Sequence, residues 1–169
     1  SLSNQTYELI IEISKAQHLD KDRVFISDIY DQVNSLDGIW SESIYNDQYV
    51  RVTFNENLTS NNDITLYPRN IYGGNTIIEV YLENSTDKLA EFPIITYEGS
   101  YKVLLNNLQD NISDTFDLKI KNLDNDDSAY LEFDYIVDPL AFPGGGADTG
   151  LLIQNCTSSM ENANNTYNE

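Results

Sequence analysis

Seven segments of this chain alternate apolar and polar residues with period two, and turn-forming residues separate them about every eight to twelve positions. Between Tyr7 and Ser14, Leu9, Ile11 and Ile13 share one face, with Glu8 and Glu12 on the other. Tyr49 to Phe54 sets Val50, Val52 and Phe54 against Arg51 and Thr53. Ile64 to Tyr67 is shorter, and Pro68 is expected to end it. Thr76 to Glu83 aligns Ile78, Val80 and Leu82, and Tyr101 to Asn106 aligns Tyr101, Val103 and Leu105. In Thr115 to Lys121 the apolar set is Phe116, Leu118 and Ile120, leaving Asp117, Lys119 and Lys121 to face out. Ala129 to Val137 places Leu131, Phe133, Tyr135 and Val137 together. One open sheet cannot bury that many half-apolar strands. Two sheets packed face to face can, so the expected fold is an all-β sandwich.

One stretch departs from this rhythm. From Ser27 to Leu36 the apolar residues fall at Ile29, Tyr30, Val33 and Leu36, which is helical spacing. Ser27 can cap such a helix and Gly38 can follow its end, so a short helix near residues 27–36 is expected, with Ile39 and Trp40 leading into the core.

The organisation that follows is one β-sandwich domain over residues 1–142, a Gly-rich hinge over 143–150, and a C-terminal strand and polar tail over 151–169. The hinge is read from Pro143-Gly144-Gly145-Gly146. The strand is Leu151-Leu152-Ile153-Gln154-Asn155-Cys156-Thr157, a run of high β-propensity that a flexible hinge could donate to a neighbouring copy. The segment from Leu2 to Ile13 is the second choice for such an exchanged strand.

Charge narrows the partners. Twenty-eight acidic residues against nine basic ones give a formal net charge of -19. Nucleic acids bind by neutralising phosphates with Lys and Arg, so no nucleic-acid partner is expected. No apolar run reaches the length of a membrane span. Six N-x-[ST] acceptor sites occur, at Asn4, Asn57, Asn84, Asn111, Asn155 and Asn164. With 20 Asn, 14 Ser and 11 Thr in 169 residues, chance placement predicts about three. The excess, and the position of the middle four at loops or strand ends, points to N-linked glycans and an extracellular or cell-surface location.

The strands Tyr49-Val50-Arg51-Val52-Thr53-Phe54, Ile64-Thr65-Leu66-Tyr67 and Ile78-Glu79-Val80-Tyr81-Leu82, closed by Leu131-Glu132-Phe133-Asp134-Tyr135-Ile136, carry a resemblance. The stretch from Trp40 to Pro139 resembles the galactose-binding-like jelly-roll modules of archaeal and bacterial cell-surface proteins. That resemblance implies a two-sheet jelly roll exposed outside the cell. It carries over no sugar-binding residues.

Motifs of chemistry are few. Asp148-Thr149-Gly150 matches the aspartic-protease triplet, but it follows three glycines, and that reaction needs two carboxylates. His18 is the one histidine and is expected in a loop or at the surface. Cys156 has no partner for an intrachain disulfide and no neighbouring basic group to activate it. No catalytic residue is assigned, and the chain is not expected to be an enzyme. Asp124, Asp126 and Asp127 resemble the acidic start of a calcium loop, making calcium the one candidate cofactor, although a solvated turn explains the same residues. Asp20 and Asp22 are a weaker pair of that type. Trp40 suits either the core or a platform for a sugar ring. The reading that unites these features is a structural subunit of a glycosylated extracellular filament or surface layer, assembled from copies of itself by strand exchange. The alternative is a carbohydrate-binding or adhesive module of a larger cell-surface protein.

Overall fold

The computed structural model describes residues 10–138. They form ten strands, β1 (Ile11–Leu19), β2 (Phe25–Asp28), β3 (Ile44–Tyr45), β4 (Tyr49–Leu58), β5 (Asp63–Arg69), β6 (Thr76–Leu82), β7 (Lys88–Glu91), β8 (Tyr101–Leu104), β9 (Ser113–Asn122) and β10 (Tyr130–Asp138), with a short helix α1 (Tyr30–Val33). The mostly-β expectation holds. The strands join in one large antiparallel sheet ordered β7-β6-β9-β4-β1-β10-β5-β8, with β2 added beside β1 and β3 beside β10. The sheet curls until its two ends, β7 and β8, lie close together, which makes it nearly a barrel. Its concave side holds the core, in which Phe54, Phe92, Phe116 and Phe133 are the largest fully buried side chains.

β1 makes the curl possible by pairing with different strands along its length. Ile11 and Glu12 pair with β10, whereas Ile13 to Leu19 pair with β4. A bulge between Ile13 and Lys15 sets two residues of β1 against one step of β4. Beyond it the alternation changes phase, so Ala16 and His18 are buried where unbroken alternation from Ile13 would have put Lys15 and Gln17. β10 has the same device. Its register slips between Phe133 and Tyr135, so Leu131 and Phe133 face the core, but Ile136 rather than Tyr135 continues that set. Tyr135 lies instead beside Tyr67, with ring centroids 6.2 Å apart.

Five local expectations are corrected. Ser27 belongs to β2 and does not cap a helix. The helix shrinks to Tyr30–Val33, and the Asp28 carboxylate accepts the Tyr30 N–H (2.9 Å) at its start. Ile29 and Val33 are buried as the spacing predicts, but Leu36 and Ile39 are exposed and Trp40 is half-buried outside the core. Pro68 does not end β5: its strand continues to Arg69, because β8 pairs with β5 only as far as Leu66 and the missing N–H falls where β5 has β10 alone as neighbour. Asp117 does lie opposite the core face of β9, yet it is fully buried.

Candidate functional site

What covers Asp117 is a polar cluster on the convex side of the sheet. β9 supplies Asp117, β4 beside it supplies Arg51, and the two residues are register partners. The loop after β1 brings in Arg23, whose positive φ of 64° turns the chain over this face. Arg23 Nε and Arg51 Nε each donate to the carboxylate at 2.7 Å, Arg51 Nη2 adds a bond at 3.0 Å, and the Asn84 N–H a fourth at 2.9 Å. Arg23 also donates to the Ser85 carbonyl and lies over the Tyr49 ring, 4.4 Å from its centroid. Hydrogen bonding to Asp117 holds the Arg51 guanidinium above its ordinary range. The cluster therefore ties the β1–β2 and β6–β7 connections to the sheet.

His18 is corrected from a surface residue to a buried one, 4% exposed, because the β1 bulge turns it inward. Its Nδ1 lies 2.5 Å from Glu42 Oε2 and its Nε2 lies 2.8 Å from Gln48 Oε1. Gln48 Oε1 accepts the Tyr45 N–H, so it is an acceptor toward His18 as well. The Ser27 hydroxyl donates to the same Glu42 oxygen. Burial works to raise the Glu42 carboxyl, but the bonds from His18 and Ser27 outweigh it and hold the group below its usual range. Ser27 is bonded to the carboxylate and not to the imidazole, so the three do not make a nucleophile–base pair.

The expected calcium residues lie on the β9–β10 loop, which is organised by Asn122, a residue that no motif marks. Asn122 Oδ1 accepts the N–H groups of Asp124 and Asp126, and its Nδ2 donates to Thr76. Asp126 accepts the Tyr72 hydroxyl at 2.5 Å and the Ser128 N–H, which together hold its carboxyl low. Asp127 accepts from the Asn46 amide at 3.0 Å. Two of the three carboxylates are thus engaged by protein donors. Among the described residues no group of three or more His, Cys, Asp or Glu side chains gathers as a metal site. Asp20 uses its carboxylate to accept the N–H groups of Asp22 and Val24, closing a turn.

Beside that loop runs an aromatic strip. Tyr45 and Tyr130 are register partners on β3 and β10 with ring centroids 5.4 Å apart, and Tyr72 also packs against Tyr130 at 5.9 Å. Tyr45 and Tyr72 are exposed, with Asp126 at one end of the row. Trp40 stands apart from this strip. The Arg69 guanidinium covers its ring at 4.2 Å while pairing with Glu132, so one face of the expected platform is already taken.

Of the acceptor asparagines, Asn57, Asn84 and Asn111 are exposed. Asn84 sits at φ 61° in the turn after β6, where its side-chain carbonyl accepts from Arg51. Asn4, Asn155 and Asn164, the hinge at 143–150 and the strand at 151–157 lie outside the described residues. No helix among the described residues is long and apolar enough to cross a membrane. Comparison of the chain with known protein families, with curated proteins and with solved structures found no match.

Proposed function

We propose that this chain is a non-catalytic structural subunit of an extracellular, N-glycosylated filament or surface layer, built from copies of itself by strand exchange. The observation that carries the reading is that the sheet stays open. Among the described residues β2, β3, β7 and β8 each have a strand partner on one side only, leaving edges of the kind that can recruit a further strand. The sequence contains a candidate for that strand in residues 151–157, tethered through the glycines at 144–146. A strand given to the next copy makes a head-to-tail contact, which propagates into fibres because it does not close. The curled sheet, with β1 divided between its two halves, suits a jelly-roll description of the module. Deleting residues 147–169 is expected to abolish fibres under negative-stain microscopy while circular dichroism still reports a folded β protein. Fibres from the deleted chain overturn the proposal.

A second reading, a carbohydrate-binding or adhesive module, is favoured by the Tyr45–Tyr130–Tyr72 strip. Tyrosine rings stack on the apolar faces of sugars, and Asp126 beside them can accept hydroxyl protons. It predicts saccharide binding on a glycan array by the unassembled chain, lost in Tyr45→Ala and Tyr72→Ala. Binding that survives both changes overturns it.

A further inference from the structure

Strand exchange needs an acceptor edge as well as a donor. Four described strands pair on one side only: β2, β3, β7 and β8. β3 is two residues long, and its Ile44 is buried. β7 and β8 are four residues each, and both carry lysine, which obstructs pairing with another chain. On β7, Lys88 binds Glu79 and Glu91, and on β8 Lys102 pairs with Asp63.

β2 has the same length and carries no lysine, and the carboxylate of its one charged residue, Asp28, accepts the Tyr30 N–H at the start of α1. Val24, Phe25 and Ile26 are exposed by 59%, 55% and 45%, three consecutive apolar side chains at the water boundary. The pairing with β1 explains why neighbours in sequence are exposed together. Leu19 pairs with Phe25 and His18 with Ser27, so Ile26 is the extra residue of a bulge, and the alternation of faces is broken there. Among the described residues no backbone hydrogen bond joins Phe25–Asp28 to any strand except β1. The edge is also held firmly in place. Ser27 is bonded to Glu42, the Ile29 N–H to the Ala16 carbonyl, and the Asp28 carboxylate starts α1. A rigid, unpaired, apolar edge costs a partner strand little to join.

The charge of the chain selects the occupant. At a net charge of -19, most segments that approach an identical copy bring like charge with them. The longest uncharged run in the sequence lies between Asp148 and Glu161, and it contains Leu151 to Thr157. We infer that the free edge of β2 is the acceptor for residues 151–157 of a second copy of this chain. This rests on the strand-exchange reading and adds to it the edge at which exchange takes place.

Cys156 makes the inference directly testable, because it is the one cysteine of the chain and lies within the donor segment. A second cysteine is introduced into the full-length protein as Phe25→Cys or Ile26→Cys on β2, and as Lys88→Cys on β7 or Lys102→Cys on β8 for comparison. A disulfide forms only where the two backbones approach closely, with Cα atoms under about 7 Å apart. Mild oxidation during assembly is expected to give disulfide-linked dimers and higher multimers from the β2 variants, seen on non-reducing gels, and none from the β7 and β8 variants. Ile26→Glu, at an exposed position, is expected to keep the native circular dichroism spectrum and to lose fibres. Multimers from the β7 or β8 cysteines, or fibres with no multimers from β2, overturn the β2 assignment and leave strand exchange standing. A β2 disulfide formed within one chain assigns the segment to its own copy and overturns the second-copy partner. A wild-type chain that forms no fibres, with no cross-links from any of the two-cysteine variants, overturns both readings.

Discussion

Replacing Asp117 with alanine tests whether the convex face is held by a buried charge cluster or merely decorated by one. Asp117 is fully buried, and the Arg23 and Arg51 side chains are 16% and 15% exposed, so little water is available to replace the carboxylate. Removing one member of such a cluster typically costs about 3–5 kcal/mol, chiefly because the remaining charges are left buried and unpaired. Here both arginines keep secondary partners. Arg51 retains Glu83 at 3.6 Å and the Asn84 side chain, and Arg23 retains the Ser85 carbonyl and the Tyr49 ring. That argues for the lower end, a loss of about 3 kcal/mol. The assay is urea unfolding at pH 7, followed by circular dichroism, for wild type and Asp117→Ala. The loss is expected to persist at 1 M NaCl, because screening acts weakly on buried pairs. Replacing Asp117, Arg23 and Arg51 together by apolar residues is expected to recover much of it, since the penalty of stranded charge disappears. A loss below about 1 kcal/mol, or one that vanishes in high salt, is what an exposed pair would give and refutes the reasoning.

Three further outcomes can be checked independently. Burial pushes the Asp138 carboxyl up to about 7 from an ordinary 3.8, with one oxygen held by the Asp63 N–H and the other without a hydrogen-bond partner among the described residues. The folded state then binds this proton more tightly than the unfolded state, so stability is expected to fall as pH rises from 4 to 7. Asp138→Asn should remove that decline, gaining roughly 2 kcal/mol at pH 8 after allowing for solvent screening, and an unchanged pH profile in thermal melts contradicts it. Calcium is expected to leave the melting temperature unchanged, because Tyr72 and Asn46 already occupy Asp126 and Asp127. A rise of several degrees on adding calcium, lost in Asp126→Asn, restores the cation site. Mass spectrometry of glycopeptides is expected to find sugar on Asn57, Asn84 and Asn111 in material from a glycosylating host, and bare asparagine at all three refutes the surface-glycoprotein reading.

The β architecture was legible because apolar alternation is a local pattern, and β4, β6, β8 and β9 fall where it puts them. The errors share a physical origin. A bulge is a property of strand pairing, so nothing local announced that β1 would change phase after Ile13 and bury His18, or that β10 would change phase after Phe133. β2 and β7 are four residues each, too short to establish a period. The alternation puts Asp117 on the face opposite the core, but its cover comes from Arg23, 94 residues earlier, and from Arg51. By sequence alone Trp40 suits either the core or a platform. The arginine that occupies its ring is 29 positions away and becomes visible only once β5 is placed.

The scarcity of cations limits how copies of such a chain could associate under the strand-exchange proposal. Eight of its nine basic residues form ion pairs within the described residues, with Arg23 and Arg51 on Asp117, Arg69 on Glu132, and Lys119 and Lys121 on Asp47. Positive charge is thus consumed inside each copy, and the surface one copy presents to another is acidic. Self-assembly through complementary charge is therefore disfavoured, which leaves uncharged contacts such as the apolar edge at Val24 to Ile26. Two such acidic bodies repel at low salt, where the screening length reaches about 30 Å at 0.01 M, and repel far less at 1 M, where it is about 3 Å. Fibre growth followed by light scattering is accordingly expected to accelerate as NaCl is raised from 0.01 to 1 M. Growth that slows over that range would mean that ion pairs between copies hold the polymer, and the uncharged edge would lose its claim to be the point of attachment.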